Sequence, residues 1–358
     1  MNEKERAFGC SAVRLYGMNH RTTVLPYCRT FFVEGGADVH GLFAVYRKEL
    51  EDHFSSTRFT LLLTVILMIS LITAYMAGTS LRKELEGIAK PSLVFLMLFT
   101  STGALFSLAQ FIAFFGPLIG MVLGFDAINR ERANRTLSKL LSQPIFRDAV
   151  INGKFLAGMT TVSLMLLAIL LLISGIGLLV LGVVPGWEEV GRLFVYLVVS
   201  IVYIGFWLAV AILCSVLFRS VATSALGALA LWIFCAFFMP MGANLAADAF
   251  APVPGGAAAD AAAVLRHEEL RHTVSSFSPI NLYSEATATV LDPMRSTTRS
   301  LILMGPMERL SISRFQSPLP LLQSALIVAP HLVSLVAITA VCFGICYACF
   351  MRQEIRST

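Results

Sequence analysis

The sequence predicts an all-α integral membrane protein with six transmembrane helices and both termini in the cytoplasm. Three observations predict it. The 358-residue chain is 57% hydrophobic and only 14% charged, with a mean hydropathy of +0.77, more apolar than a soluble domain can cover. Several apolar runs are long enough to cross the ~30 Å hydrocarbon layer of a bilayer. The interiors of the spans drawn below hold no Asp, Glu, Lys or Arg. The net charge of +5 suits cytoplasmic loops beside anionic lipid and needs no nucleic acid.

Residues 1–40 have no sustained period and no apolar run of signal-peptide length, and they read as a poorly ordered extension. From Gly41 a six-span domain runs to residue 350. Leu42, Phe43, Tyr46, Leu50 and Phe54 share one helical face, with Arg47, Lys48, Glu49, Glu51 and Asp52 elsewhere. That pattern predicts an amphipathic elbow helix in the membrane interface, or else a cytoplasmic extension of the first span. The spans are Phe59–Ala77, Phe106–Phe125, Phe155–Val183, Leu193–Leu217, Val221–Met239 and Leu321–Phe350. Lys and Arg at the span ends orient them. Arg47, Lys48 and Arg58 precede the first, a basic insert follows the second, Arg219 lies after the fourth, and Arg352 and Arg356 lie in the cytoplasmic tail 351–358.

Val184–Arg192 is then an external turn. Pro91–Ser107 is apolar enough to cross, but a separate crossing would put either the elbow or the insert outside. It is assigned to a long tilted second span or to a re-entrant piece. Within the second span Gly116, Gly120 and Gly124 form a groove for helix packing, against the same chain or a second copy, and Pro117 weakens the helix. Residues 240–320 form an external loop between spans five and six. Its Ala/Gly-rich start cannot supply a core, so it reads as a cap on the spans. Its segment Ser278–Pro293 is expected to lie over the exit ends of the fifth and sixth spans as an outer gate, with Leu282 and Tyr283 as its key residues.

The most informative stretch is 126–154. It holds six basic residues (Arg130, Arg132, Arg135, Lys139, Arg147, Lys154) and apolar residues at helical spacing, Ile128, Leu137, Leu140 and Leu141. Such an insert has something cytoplasmic to dock against, although an ordinary basic loop would also satisfy the charge rule. Asp126 and Glu131 suit a helix start. Ser142-Gln143-Pro144 breaks the helix, and Arg147 and Lys154 bracket a second short helix.

Two other patterns carry nothing. Cys342, Cys346 and Cys349 have iron–sulfur spacing but lie on an apolar span near the end of the chain, where they read as small hydrophobes. His267 and His272 are five residues apart, so on a helix their imidazoles point ~140° apart and cannot share a metal. The seven cysteines indicate no disulfide framework.

Asp126, Ile128, Glu131, Arg132, Thr136, Leu137, Leu140, Leu141, Ser142, Pro144, Ile145, Arg147, Gly153 and Lys154 resemble the signature of type-2 ABC transporter permeases. The branch most like this chain includes the nitrous-oxide-reductase maturation permeases. The chain departs from the signature at Ala133, where a Glu is expected, and at Arg135, where a Gly is expected. The likeness covers about Gly41 to the C-terminus.

The resemblance implies a multi-pass permease subunit of the plasma or inner membrane, paired as a homo- or heterodimer, exporting a substrate outward. Separate ATPase subunits would dock on a cytoplasmic coupling helix through Asp126, Glu131, Arg132, Thr136, Leu137, Leu140, Leu141, Pro144 and Arg147. ATP and Mg would sit on those partners, since the chain has no G-x-x-x-x-G-K-[ST]. The chain itself would be no enzyme and would bind no cofactor. An accessory extracytoplasmic protein is a further partner to expect. The alternative is a membrane scaffold or sensor relaying an external signal to a cytoplasmic partner.

Overall fold

The computed structural model describes residues 34–86, 94–100, 107–136, 146–252, 261–292 and 320–353. Among the described residues every regular element is helical, and six helices are long and apolar enough to cross a membrane. In chain order the elements are α1 (Glu34–Ser55), α2 (Thr57–Glu84), α3 (Val94–Thr100), α4 (Leu108–Gly124), α5 (Asn129–Ala133), α6 (Arg147–Leu181) and α7 (Trp187–Leu217). They continue with α8 (Val221–Ile233), a π-helical turn (Phe234–Phe238), α9 (Met239–Phe250), α10 (Ala261–Ser275), α11 (Pro279–Leu291) and α12 (Leu321–Arg352).

The helices α4 and α7 form the centre. In their most apolar stretches 61% and 67% of residues are buried, against 17% in the fifth span and 11% in the sixth. The outer helices keep apolar side chains such as Leu61, Leu179 and Leu226 exposed, as lipid-facing helices do. The glycine groove of α4 is what brings the two central helices together. A Cβ on Gly120 would stand 2.7 Å from the Ile204 carbonyl oxygen, and one on Gly124 would stand 2.8 Å from Ala211 Cβ. Gly116 faces Ile204 in the same way. All three glycines therefore pack inside this chain.

Charges mark the two ends of the bundle. At the basic end α2 and α6 begin and α4, α7 and α12 finish; α1 lies there against α6. At the opposite end α3, the start of α7, α11 and the start of α12 meet.

Several boundaries differ from expectation, each for a local reason. The third-span helix begins at Arg147, so Arg147 and Lys154 occupy the first turns of one unbroken 35-residue helix instead of bracketing a separate short one. At 1.5 Å per residue that helix outruns the bilayer, which leaves its polar start outside the apolar layer. It ends at Gly182, whose φ of +62° closes a left-handed cap onto Leu178.

The turn before α7 is shorter than expected. Glu189 accepts the Gly186 amide at 2.9 Å and starts the helix early, placing Arg192 within α7. In place of one long second span, the apolar 91–107 region contributes α3, a seven-residue helix with Val94, Phe95, Leu96, Leu98 and Phe99 buried. It is pinned by the Phe95 amide donating to Glu189 at 3.0 Å. The second span then starts at Ser107, which caps α4 reciprocally with Gln110. The fifth-span helix does not stop at Met239 but continues through the π-helical turn to Phe250. Finally, α11 packs on the sixth span, α12, as expected, and meets the fifth at its π-helical turn, but it also lies against α7 and α4, where the buried Arg192 and Ser200 of α7 give it polar partners.

Gly120→Ala should lower the midpoint of thermal unfolding of the detergent-purified protein by several degrees, since overpacking at a helix contact costs about 1–3 kcal/mol. Gly175→Ala, with nothing within 4 Å of the new methyl, should leave it equal or higher. Equal midpoints for the two variants would contradict the close α4–α7 contact.

Candidate functional site

The basic end is organised around a lysine. Lys154, two turns into α6, is 4% exposed and reaches Glu49 of α1 at 2.7 Å and Glu131 of α5 at 3.0 Å. A charge at the head of an apolar helix needs such partners. Lys48 closes the far side, 3.6 Å from Glu131 and 3.5 Å from Glu49. Two features let α1 come so near. Gly153 leaves room where a Cβ would stand 2.9 Å from Val45, and Tyr46 donates its hydroxyl to Thr160 at 3.2 Å.

The local electrostatics follow from this geometry. Burial would raise the Glu49 carboxyl, but the Lys154 ammonium and its hydrogen bond hold it below the ordinary carboxylate value. Burial works against the Lys48 charge, yet Glu49 and Glu131 lift it above the usual lysine value. His53, one turn after Glu49, is pushed down chiefly by burial.

A second set of bonds fastens the insert to the ends of the spans. The N-terminus of α5 has no side-chain cap of its own. Its Ile128 and Asn129 amides donate instead to Ser215 Oγ of α7 at 2.9 and 3.1 Å, satisfying orphan donors from outside the helix. Arg132 donates to the Val216 carbonyl at 3.3 Å and to the side chain of Gln353, and Gln353 Nε2 donates to the same carbonyl at 2.7 Å. Arg147 donates to the Gln353 carbonyl at 3.3 Å, and Arg58 pairs with Asp126 at 3.1 Å. A cavity of about 220 Å³ lies between α1, the start of α2 and the insert. Its walls carry both signs of charge, including Lys48, Asp52, Arg58 and Asp126.

The chain turns sharply after α5 at Asn134 and Arg135, before the proline expected to break it. Arg135 has φ of +56°, the left-handed region. The conformation that a glycine would adopt freely is thus kept by an arginine, at a cost of about 1 kcal/mol. Thr136 Oγ1 donates to the Glu131 carbonyl at 3.3 Å across this turn. Leu137, Leu140, Leu141 and Pro144 lie outside the described residues.

Of the other expected residues, Leu282 packs partly buried on the core and Tyr283 is wholly buried. Tyr283 stacks on Tyr203 with ring centroids 4.2 Å apart and shares a 2.8 Å hydrogen bond with Ser200. His267 faces Asp248 at 3.0 Å, while His272 faces Glu285 at 3.1 Å. Among the described residues no group of His, Cys, Asp and Glu is placed to hold a metal.

Sequence reasoning missed Glu49, Ser215, Gln353 and Arg192. The apolar stripe of α1 through Phe43 and Phe54, exposed at 59% and 46%, suits the expected membrane interface, whereas Val45 and Glu49, outside that stripe, face α6. The apolar side of an interfacial helix marks its lipid face, not its protein face. A lysine two turns into a long apolar helix was the available signal for Glu49.

The sequence model of the ABC-2 family transporter proteins matches residues 43–355, and the chain belongs to that family. It is thus a membrane permease component of the ABC-2 class. Comparison with curated proteins finds no match.

Lys154→Met should cost about 3–5 kcal/mol at neutral pH, because Glu49 and Glu131 lose their shared cation while staying buried. The pH dependence should also change sign. In the native protein the folded Glu49 carboxyl lies below its ordinary 4.5. Its stabilisation is therefore full above that pH and is lost as pH falls further. In the variant, burial acts without the cation and raises the carboxyl, so stability should recover as pH falls from 7 toward about 5. Thermal melts in detergent from pH 4 to 7 check this; parallel profiles would contradict the buried ion triad.

Proposed function

We propose that the protein is the membrane-spanning permease subunit of an ATP-driven exporter, working beside a separate ABC ATPase that docks on 126–154. The observation that carries the reading is the family match over residues 43–355. The bonding of residues 126–136 to three elements at once, α1 through Lys48, α6 through Lys154 and the end of α7, gives it a mechanical basis. The partner supplies the free energy of ATP hydrolysis. In this chain Asp126, Glu131, Arg132, Thr136 and Arg147 carry displacement of the insert to the spans, while Leu137, Leu140, Leu141 and Pro144 present the docking face.

The basic end is cytoplasmic in this reading, by the Lys/Arg rule. Both termini are inside, and α1 is an elbow helix lying in the inner interface with Phe43 and Phe54 toward lipid. Two permease subunits pair in the plasma or inner membrane, with the nitrous-oxide-reductase maturation permeases as the branch of reference. Transport runs outward, and the chain contributes no cofactor or catalysis of its own. Leu282 and Tyr283 of α11 belong to the outer gate. Beside them a cleft of about 400 Å³ opens between α4 and α11, lined by Ser107, Gln110 and Glu285 among others.

Leu140→Asp with Leu141→Asp should abolish co-purification of the ABC ATPase and its stimulated activity while leaving the permease in the membrane, since burying two unpaired carboxylates costs several kcal/mol. Undiminished ATPase binding would remove this face from the coupling surface.

Topology has its own test. In a background lacking the seven native cysteines, Asn134→Cys and Trp187→Cys should react with a membrane-impermeant maleimide from opposite sides. Labelling from one side would refute the assigned orientation.

A further inference from the structure

The second and fifth spans each contain a proline that removes a helical hydrogen bond, and both vacancies lead to the same short helix. In α4 the Ala113 carbonyl would accept from residue 117, but residue 117 is proline and has no N–H. Tyr203 of α7 donates its hydroxyl to that carbonyl at 2.7 Å. The Tyr203 ring is in turn held by Tyr283 of α11, stacked with an interplanar angle of 12°. In the fifth span the Met239 amide turns to the Phe234 carbonyl five residues back, so the Cys235 carbonyl loses its usual donor. The next donor along would be residue 240, which is again proline. Ser278 Oγ donates to Cys235 at 3.0 Å.

Ser278 is the residue before α11, where a serine ordinarily caps its own helix; here it makes no such bond. Both it and Tyr283 are wholly buried. In a bilayer interior an unanswered carbonyl costs several kcal/mol, so these are not incidental contacts. The far end of α11 is held too, since Arg192 Nη1 donates to the Val290 carbonyl and to Ser324 of α12, each at 3.1 Å.

We propose that α11 is a latch across the two proline breaks. Ser278 at its start and Tyr283 one turn in hold the second and fifth spans in a matched bend, so that neither span changes its bend unless α11 moves. This goes beyond the transport reading and does not depend on which partner or cargo the protein has.

Hydrogen–deuterium exchange on the purified full-length chain in lipid nanodiscs tests it. Ser278→Ala should speed exchange about fivefold in residues 235–241, the loss expected for one hydrogen bond. It should also speed exchange at 113–118, although no atom of Ser278 bonds there. Tyr203→Phe, which keeps the ring stack, should loosen 113–118 alone, and Tyr283→Leu should loosen both segments. Loosening confined to the local segment in Ser278→Ala and Tyr283→Leu would overturn the latch.

A rescue guards against general misfolding. Pro117→Ala restores the missing N–H, so Tyr203→Phe should lose its effect in that background. If Tyr203→Phe remains equally disruptive there, its hydroxyl does not serve the proline break and the proposal fails.

Discussion

A backbone group that cannot reach water must find its partner within the protein, and α7 meets that demand for its neighbours at three depths. Near the basic end Ser215 accepts the two uncapped amides of α5. In the middle Tyr203 donates to the carbonyl that Pro117 leaves open. At the far end Arg192 donates to the Val290 carbonyl near the C-terminus of α11, where a cation also suits the helix dipole. A helix that is otherwise among the most buried in the bundle thus carries its polar side chains where other elements are irregular. The π-helical turn of the fifth span is the exception, and Ser278 supplies that donor from α11.

The charged end obeys a different constraint. A lysine two turns inside an apolar helix is tolerable only with carboxylates within reach, and Lys154 has two, from elements far apart in sequence. Charge-assisted bonds are roughly twice as strong as neutral ones, and replacing one member leaves the others buried and unpaired. Glu49, Glu131 and Lys154 therefore behave as one unit joining α1, α5 and α6. The strained φ of Arg135 directly after α5 persists because the helix before it is fixed by this unit and by Ser215.

How much of this was legible in the sequence divides along physical lines. Apolar length and the absence of internal charge are local properties, so six helices emerged close to their observed positions. Boundaries failed where one side chain takes up backbone amides. Glu189 starts α7 early by accepting the Gly186 amide, and its other oxygen pins α3. Neither contact has a periodicity to read. The apolar stripe of α1 reads as a lipid face, and it says nothing of Val45 and Glu49, which are buried against α6. Among the expected site residues, Asp126, Glu131 and Arg132 do come together with the span ends. Their partners Ser215, Gln353 and Glu49 gave no pattern, since a single Ser or Gln at a helix end acquires its meaning only from the orphan group opposite.

The glycine groove and the proline of α4 make sense only together. Pro117 removes a donor in the middle of a membrane helix, a loss that a neighbour can repair only from very close by. Gly116 and Gly120, on either side of that proline, let α7 approach until a methyl group would crowd the Ile204 side chain at 116 and collide with the α7 backbone at 120. Tyr203 immediately precedes Ile204, the residue seated in the groove, and at that separation its hydroxyl reaches Ala113 at 2.7 Å. With larger residues at 116 and 120 the helices would stand further apart, and the hydroxyl would fall short of the carbonyl. The groove is consumed by this contact, which leaves its three glycines buried within one chain and unavailable to a second copy. Small residues here serve less to attract a partner helix than to make a broken helix affordable in lipid.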